Sequence, residues 1–400
     1  MPVIIGIMAG EMGRTRNGAA GTGLEWRVFG EGAEVAIDRG ARWLRAHRGQ
    51  WQDLCDEAAG PNVFFEPLCL PALIDGLDHR HKVSVAVMRD GADRRLLGIV
   101  PFTIERRFLG LPLPVLRVWE NDHVLVSDPL LAESRAEEAL AAFFAFADSR
   151  FVAGVEFTFL TTTGRVADAV SAVCADRRRF VIDEFERAAI DAGARRAEDI
   201  EAALSSERRR SLRRRRRKLE RKGELSYVAI GPDDDAGAWF DEFCEIEDRG
   251  WKGSEGTSLV KSGLAPMYRE IVAAAHAGGS LCASTLALDS RPLAMLFDIV
   301  ACAGGVGFSL KTAYDEDFRE YSPGIILEVE HAMRMCGEPS VMFVDSCTDY
   351  ENEMLNALWP DGKPMQSVLY ATSGAFGRSA VSGLAGLRRV RRRFIGSNAE

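Results

Sequence analysis

No stretch of this 400-residue chain approaches the roughly 20 consecutive apolar residues that a membrane-spanning helix needs. The opening segment, residues 1–23, has too short an apolar run for a secretory signal and is expected to be a flexible tail. Eight cysteines form no CxxC pair, and the six histidines do not cluster with them. That pattern argues against both a zinc site and a disulfide framework, and it implies a reducing, cytoplasmic setting with no bound metal. There is no Walker motif, no GxSxG and no histidine in a triad pattern, so NTPase and hydrolase chemistry have little support. An excess of positive charge is also missing: the formal net charge is −9, which makes general nucleic-acid affinity unexpected.

The charge that is present is blocky. Residues 207–224 hold eleven Arg or Lys against three Glu, whereas 233–248 hold eight acidic residues and no basic one. The simplest expectation is that these two segments neutralise each other, with the basic one forming a solvated linker helix. The alternative is contact with phosphates, those of a ligand or of a membrane surface. A second basic block, Arg388, Arg389, Arg391, Arg392 and Arg393, lies among Val381, Leu384, Leu387, Val390 and Phe394, a spacing that suits an amphipathic basic helix on an anionic membrane surface.

Four hundred residues favour two domains of similar size. Strand-like runs at 84–88 and 96–104, a helix within 133–150, strand 155–160, a helix near 165–176 and strand 180–185 make a mixed α/β unit. The second half repeats that order, and the hairpins VAVMRDGADRRLLGIVPF and STLALDSRPLAMLFDIV look like copies. The expected layout is a tail at 1–24, a first domain at 25–197, a basic linker helix at 198–224, a second domain at 225–375 and a basic tail at 376–400.

The richest segment is FSLKTAYDEDFREYSPGIILE, residues 308–328. It predicts a strand leading to a helix start shaped for an anion: Ser322 as cap, Pro323 at the first position with no donor to lose, and Gly324 leaving the backbone uncovered. A pyrophosphate is the natural guest of such a helix start, with Lys311 available as a second positive group. The same features also describe an ordinary well-capped core helix.

WKGSEGT at 251–257, MYRE at 267–270, and LKTAYDE followed by YSPG together resemble one family, the CelD-like, FemAB-related branch of the GNAT acyltransferases. The match covers residues 205–330 well and the rest loosely. The resemblance implies an α/β (α+β, mixed-sheet) fold of two tandem GNAT-like domains joined by the basic helix, with the acyl-donor site in the second. It also implies direct attack of an amine on the thioester of an acyl-CoA, which needs positioning, a route for the amine proton and support for the oxyanion, but no cysteine nucleophile.

On that reading the pyrophosphate donors are the amides of Gly324, Ile325 and Ile326, since Pro323 has no N–H, and Lys311 binds a donor phosphate or a substrate carboxylate. Tyr314 and Tyr321 are candidates to protonate the departing thiolate, each equally well a packing residue. Asp315, Glu316 and Asp345 could take the amine proton, with Asp345 favoured because it follows an apolar strand. Trp251, Lys252, Glu245 and Asp248 are candidates to line the acceptor pocket. One departure concerns the acceptor: many relatives carry a Tyr-Lys pair late in the domain, whereas here Tyr350 is followed by Glu351.

The function expected is acyl-CoA-dependent N-acylation of a small-molecule or lipid amine in cell-envelope metabolism. An amino sugar or polysaccharide precursor and a long-chain sphingoid-type amine both remain open as acceptor. The location expected is cytoplasmic, with a peripheral position on the inner membrane face if the basic tail anchors. Alternatives are an aminoacyl-tRNA-dependent peptide ligase and an inactive GNAT pair acting as a membrane-associated scaffold.

Overall fold

A computed structural model describes residues 23–29, 32–348 and 352–396, the side chains of Glu353 and of residues beyond Gly386 excepted. The tail expected at 1–24 and the pair Tyr350–Glu351 lie almost wholly outside the described residues. Among the described residues, fourteen strands form one mixed sheet with helices packed on it. The first half supplies β1 (Arg27–Phe29), β2 (Ala33–Arg39), β3 (Ser84–Asp90), β4 (Leu96–Glu105), β5 (Val115–Val118), β6 (Leu130–Leu131), β7 (Gly154–Thr161) and β8 (Arg179–Ile190). The second supplies β9 (Leu225–Ala229), β10 (Leu281–Leu288), β11 (Arg291–Val300), β12 (Val306–Tyr314), β13 (Phe343–Asp345) and β14 (Asp361–Ala371).

The duplicated hairpins are β3–β4 and β10–β11. The second closes through Asp289 and Ser290, with φ 48° and 67°, the left-handed pair that matches the twist of a two-residue hairpin. Each copy continues into a parallel pair, β5 with β7 and β12 with β13.

The sheet runs on through the expected division at residue 197. Its order is β1-β2-β3-β4-β5-β7-β14-β8-β13-β12-β11-β10-β9, with β6 alongside β4. The last strand of each copy therefore leaves its own half: β14 pairs with β7 of the first copy, and β8 pairs with β13 of the second. The two exchanged strands pair antiparallel with each other from Arg179–Tyr370 to Ala189–Asp361, as a two-fold relation between copies requires. A boundary in sequence is thus not a boundary in the sheet, and the main apolar core also runs across both halves, with Phe64 against Phe308 at 5.9 Å.

The expected linker helix is two helices, Ala197–Ala203 and Ser206–Glu220, broken where Ser205 caps the second by accepting from the Arg208 N–H. Among the described residues its arginines do not pair with the acidic segment. Asp234 and Asp235 bind nearby amides, Asp241 pairs with Arg269, and Glu247 with Lys252. The expected C-terminal tail begins as a packed helix, Ala375–Gly396, whose Val381 and Leu384 are buried against Phe108, Phe180 and Leu369. The side chains of Arg388, Arg389, Arg391, Arg392 and Arg393 lie outside the described set. Among the described residues no helix is long and apolar enough to cross a membrane.

Candidate active site

The site arises where two parallel strands separate. β12 pairs with β13 only from Val306 to Phe308, so Ser309–Tyr314 have no strand neighbour on that side. On the other side, a bulge at Phe297/Asp298 shifts the register with β11. The gap is a cavity of about 420 Å³, walled by β12, by the helix Pro323–Met335 (the site helix), by Gly250–Lys252 and by Ser346–Thr348.

At the head of the site helix, Ser322 does not cap through its side chain. Its backbone is left-handed (φ 52°, ψ 57°), and its hydroxyl accepts a hydrogen bond from Arg215 of the basic helix. The expectation for Ile326 is also corrected: its N–H makes the first intrahelical bond to the Ser322 carbonyl at 3.2 Å, and its side chain is buried, so it has no amide to offer a ligand. Gly324 and Ile325 both line the cavity, and among the described residues their N–H groups have no acceptor. They are the two free donors of the helix start, at its positive end.

One turn further along, Glu328 faces the same cavity although it is 2 % exposed. Its Oε1 accepts a hydrogen bond from the Thr312 hydroxyl at 2.5 Å, while Oε2 has no partner. Burial pushes its pKa up to about 7, against the opposing effect of Thr312. Behind it, His331 is held by Asp298 at 2.9 Å and contacts Tyr227 and Ser284; Asp298 Oδ1 is likewise buried without a partner.

On β12, Lys311 projects beside the ring of Tyr268 at 5.3 Å. Burial, and then the charge of Lys252, lower it to about 8. Burial, and then Lys311, hold His123 down at about 4, with its Nδ1 2.9 Å from the Tyr268 hydroxyl. Tyr314 lines the cavity, and burial together with its bond to Glu316 raises its pKa, so it keeps its proton. Lys252 spans the opposite wall, bonded to Glu247 at 2.8 Å and to the unpaired Thr312 carbonyl at 3.1 Å. Trp251, 49 % exposed, stands at the rim.

Lys311, Tyr314, Ser322, Gly324, Ile325, Trp251 and Lys252 therefore meet in one cavity. Other candidates do not reach it. Asp345 is fully buried between Lys363 at 2.8 Å and Arg187 at 3.4 Å. Burial alone would raise its pKa, but the two cations prevail and hold it at about 2, which makes it a structural ion rather than a base. Tyr321 is packed in an apolar cluster with Leu219, Leu296 and Leu327. Asp315 pairs with Arg291 at 2.5 Å and caps the turn that follows it. Glu245 is exposed on the outer face of its helix, and Asp248 accepts from Ser258 at 2.5 Å; neither lines the cavity.

Sequence reasoning missed Glu247 and Glu328. Both were findable by helical phase: Glu247 follows Phe240, Phe243 and Cys244 on the buried stripe, and Glu328 sits in phase with Ile325, Ala332 and Met335. A carboxylate in the middle of a buried stripe signals either a pair or a site.

Residues 206–352 match the model of an acetyltransferase (GNAT) domain. Among solved structures the chain is similar to a protein described as FemX, at 9% identity and TM-score 0.52, over 81% of this chain and 96% of that one. It is also similar to a conserved protein of unknown function from Bacteroides thetaiotaomicron VPI-5482, at 12% identity and TM-score 0.51, over 82% and 97%. A third is the C-terminal DUF2156 domain of a putative lysylphosphatidylglycerol synthetase from Agrobacterium fabrum, at 14% identity and TM-score 0.52, over 85% and 95%. No curated protein sequence matches. At such identities the structural likeness speaks for fold alone. The GNAT-domain match spans the strand separation and the bare helix start. The chain as a whole shares the fold of FemX and of the DUF2156 domain, and the GNAT match lies within its residues 206–352.

Proposed function

We propose that the protein is an N-acyltransferase that takes its acyl group from a phosphopantetheine thioester, acyl-CoA in the simplest case, and transfers it to the amine of a cell-envelope metabolite. The observation that carries this reading is the alignment, along one face of the site helix, of two unpaired amides at Gly324 and Ile325 with the unpaired, proton-hungry Glu328 a turn deeper. The amides receive a donor phosphate; Glu328 receives a proton.

The amine nitrogen attacks the thioester carbon, forming C–N, and its proton passes to Glu328. The C–S bond breaks, and the departing sulfur takes a proton from Tyr314, which solvent restores. Lys311, at the strand separation, adds positive charge toward the donor. Apolar lining from Leu310, Ala313, Ile325 and Leu355, with exposed Trp251 and Met354 at the rim, suits a long-chain amine better than a sugar.

The test is release of free thiol from acetyl-, octanoyl- and palmitoyl-CoA with a sphingoid base or glucosamine as acceptor. Amine-dependent release with a long-chain pair supports the reading. Absence of release with every pair, in a folded protein, contradicts it.

A further inference from the structure

The outer face of the basic helix Ser206–Glu220 carries charge that, among the described residues, is met only at Arg213. Arg209, Arg210, Arg213, Arg214, Arg217 and Arg221 recur at intervals of three and four, which places them on one side, with Ser206 and Lys218 in the same row. At about 1.5 Å per residue the row is roughly 22 Å long. Arg213 reaches Glu201, but among the described residues the other cations of the row have neither a carboxylate nor a hydrogen-bond partner.

Of the acids that the sequence offered as counter-charge, Asp234, Asp235, Asp241, Glu247 and Asp248 are engaged elsewhere, and among the described residues none of the acids at 233–248 pairs with the row. Like charges one turn apart weaken a helix, so the row costs stability and returns none to the fold. The inner face is different. Leu212 and Leu219 pack inward, Arg216 pairs with Glu330 of the site helix, and Arg215 holds Ser322 at its head. The row therefore runs about one helix diameter, roughly 10–12 Å, from the amides of Gly324 and Ile325.

We propose that this row docks an acidic acyl-carrier protein, which presents the acyl thioester on a phosphopantetheine arm whose phosphate lies at Gly324 and Ile325. The inference rests on the acyltransferase reading above and names the form in which its donor arrives. Thioester, pantetheine and phosphate are the same in CoA and in a carrier; the two differ in what lies beyond the phosphate.

A nucleotide would cover only part of a 22 Å row. A membrane surface calls for apolar side chains flanking the basic ones, and here the leucines of the helix face inward. An RNA reaches well past the row, onto a chain of net charge −9 with exposed Glu207, Glu220 and Glu224 beside the arginines. A carrier helix with carboxylates along one face matches the row in sign and length. In the transfer, C–N forms and C–S breaks, the amine proton goes to Glu328, and the carrier leaves as the free thiol.

The experiment compares two donors bearing one acyl chain, acyl-CoA and a charged bacterial acyl-carrier protein, on the wild type and on R210E/R214E/R217E. The expected result is that the triple variant loses about tenfold or more in kcat/KM for the carrier, that wild-type carrier turnover falls with salt, and that acyl-CoA turnover and the thermal melt are unchanged. Equal loss with both donors would overturn the inference, since the row would then be serving the nucleotide of CoA. Unchanged carrier turnover, with the variant losing affinity for bulk transfer RNA or for phosphatidylglycerol vesicles, would overturn it in favour of those partners. Turnover of acyl-CoA with none from the carrier overturns the inference and leaves the acyltransferase reading standing; turnover of neither removes both.

Discussion

Glu328 is held where its charge is expensive: one oxygen is bonded to Thr312, the other is bare, and burial lifts its pKa to about 7. As the base it works ionised, so the rate rises with pH through about 7. Lys311, lowered to about 8, loses its charge above that value and with it the attraction for a donor phosphate. The profile of kcat/KM for the donor is therefore a narrow bell between about 7 and 8. Glu328→Gln removes the acid limb and lowers kcat by roughly 10²-fold or more, and Lys311→Met removes the alkaline limb. A profile of E328Q that keeps its acid limb contradicts the assignment.

Asp345 has the opposite setting, held at about 2 against an ordinary 3.8 by Lys363 and Arg187. Its depressed pKa means that it stabilises the fold at all pH above about 3.8, and that this contribution disappears as pH falls toward 2. Asp345→Asn strands two buried cations and costs about 3–5 kcal/mol in urea unfolding at pH 7. Wild-type stability in that variant would return Asp345 to the list of catalytic candidates. The sequence placed Asp345 correctly after an apolar strand, but no local signal shows that Arg187 and Lys363, which come from the two exchanged strands, close around it.

At the scale of elements, the site helix and β12 were legible because each has its own signature: Pro323 and Gly324 at a helix start, and an apolar run ending in LKTAY. The details at the helix head were not. A left-handed Ser322 turns its hydroxyl to Arg215 instead of to the helix, an arrangement set by the packing of a helix more than a hundred residues earlier in the chain. Helical phase separates Glu247 from its neighbours Glu245 and Asp248, and the choice among them turns on which face Phe240 and Phe243 bury.

A Cβ added at Gly324 would stand in ordinary contact with Tyr314, 3.4 Å from its Cδ1 and 3.8 Å from its Cβ and Cγ. Gly324→Val thus fits the helix but shifts Tyr314 and covers the amides. Steady-state kinetics should show kcat/KM for the donor falling roughly a hundredfold, from misplacement of about an ångström, with the melting temperature little changed. Unaltered donor kinetics in that variant would move the phosphate site away from the helix head.

On the scale of the whole molecule, the internal duplication could be seen in the two hairpins, whereas the strand exchange could not. The apolar residues of β14, Val368 to Ala371, are buried on both faces of the sheet, a pattern that is the same whichever strand lies beside them, so nothing in the segment names β7 and β8 as neighbours. The consequence is that neither half is complete. A fragment 1–197 lacks β14 and a fragment 198–400 lacks β8, each leaving a central strand as a bare edge. Expressed alone, each fragment is expected to be protease-sensitive and to melt without cooperativity, whereas co-expressed fragments assemble. Independent cooperative melting of either would show that the exchanged strands are dispensable.

The central claim, that the bare amides at the head of the site helix hold the donor's phosphate, is tested most directly by hydrogen exchange with and without acyl-CoA. Donor binding should protect the amide protons of Gly324 and Ile325 while leaving Ile326, already bonded to Ser322, as it was. If the donor binds and those two amides exchange unchanged, with protection appearing elsewhere, the site assignment is wrong.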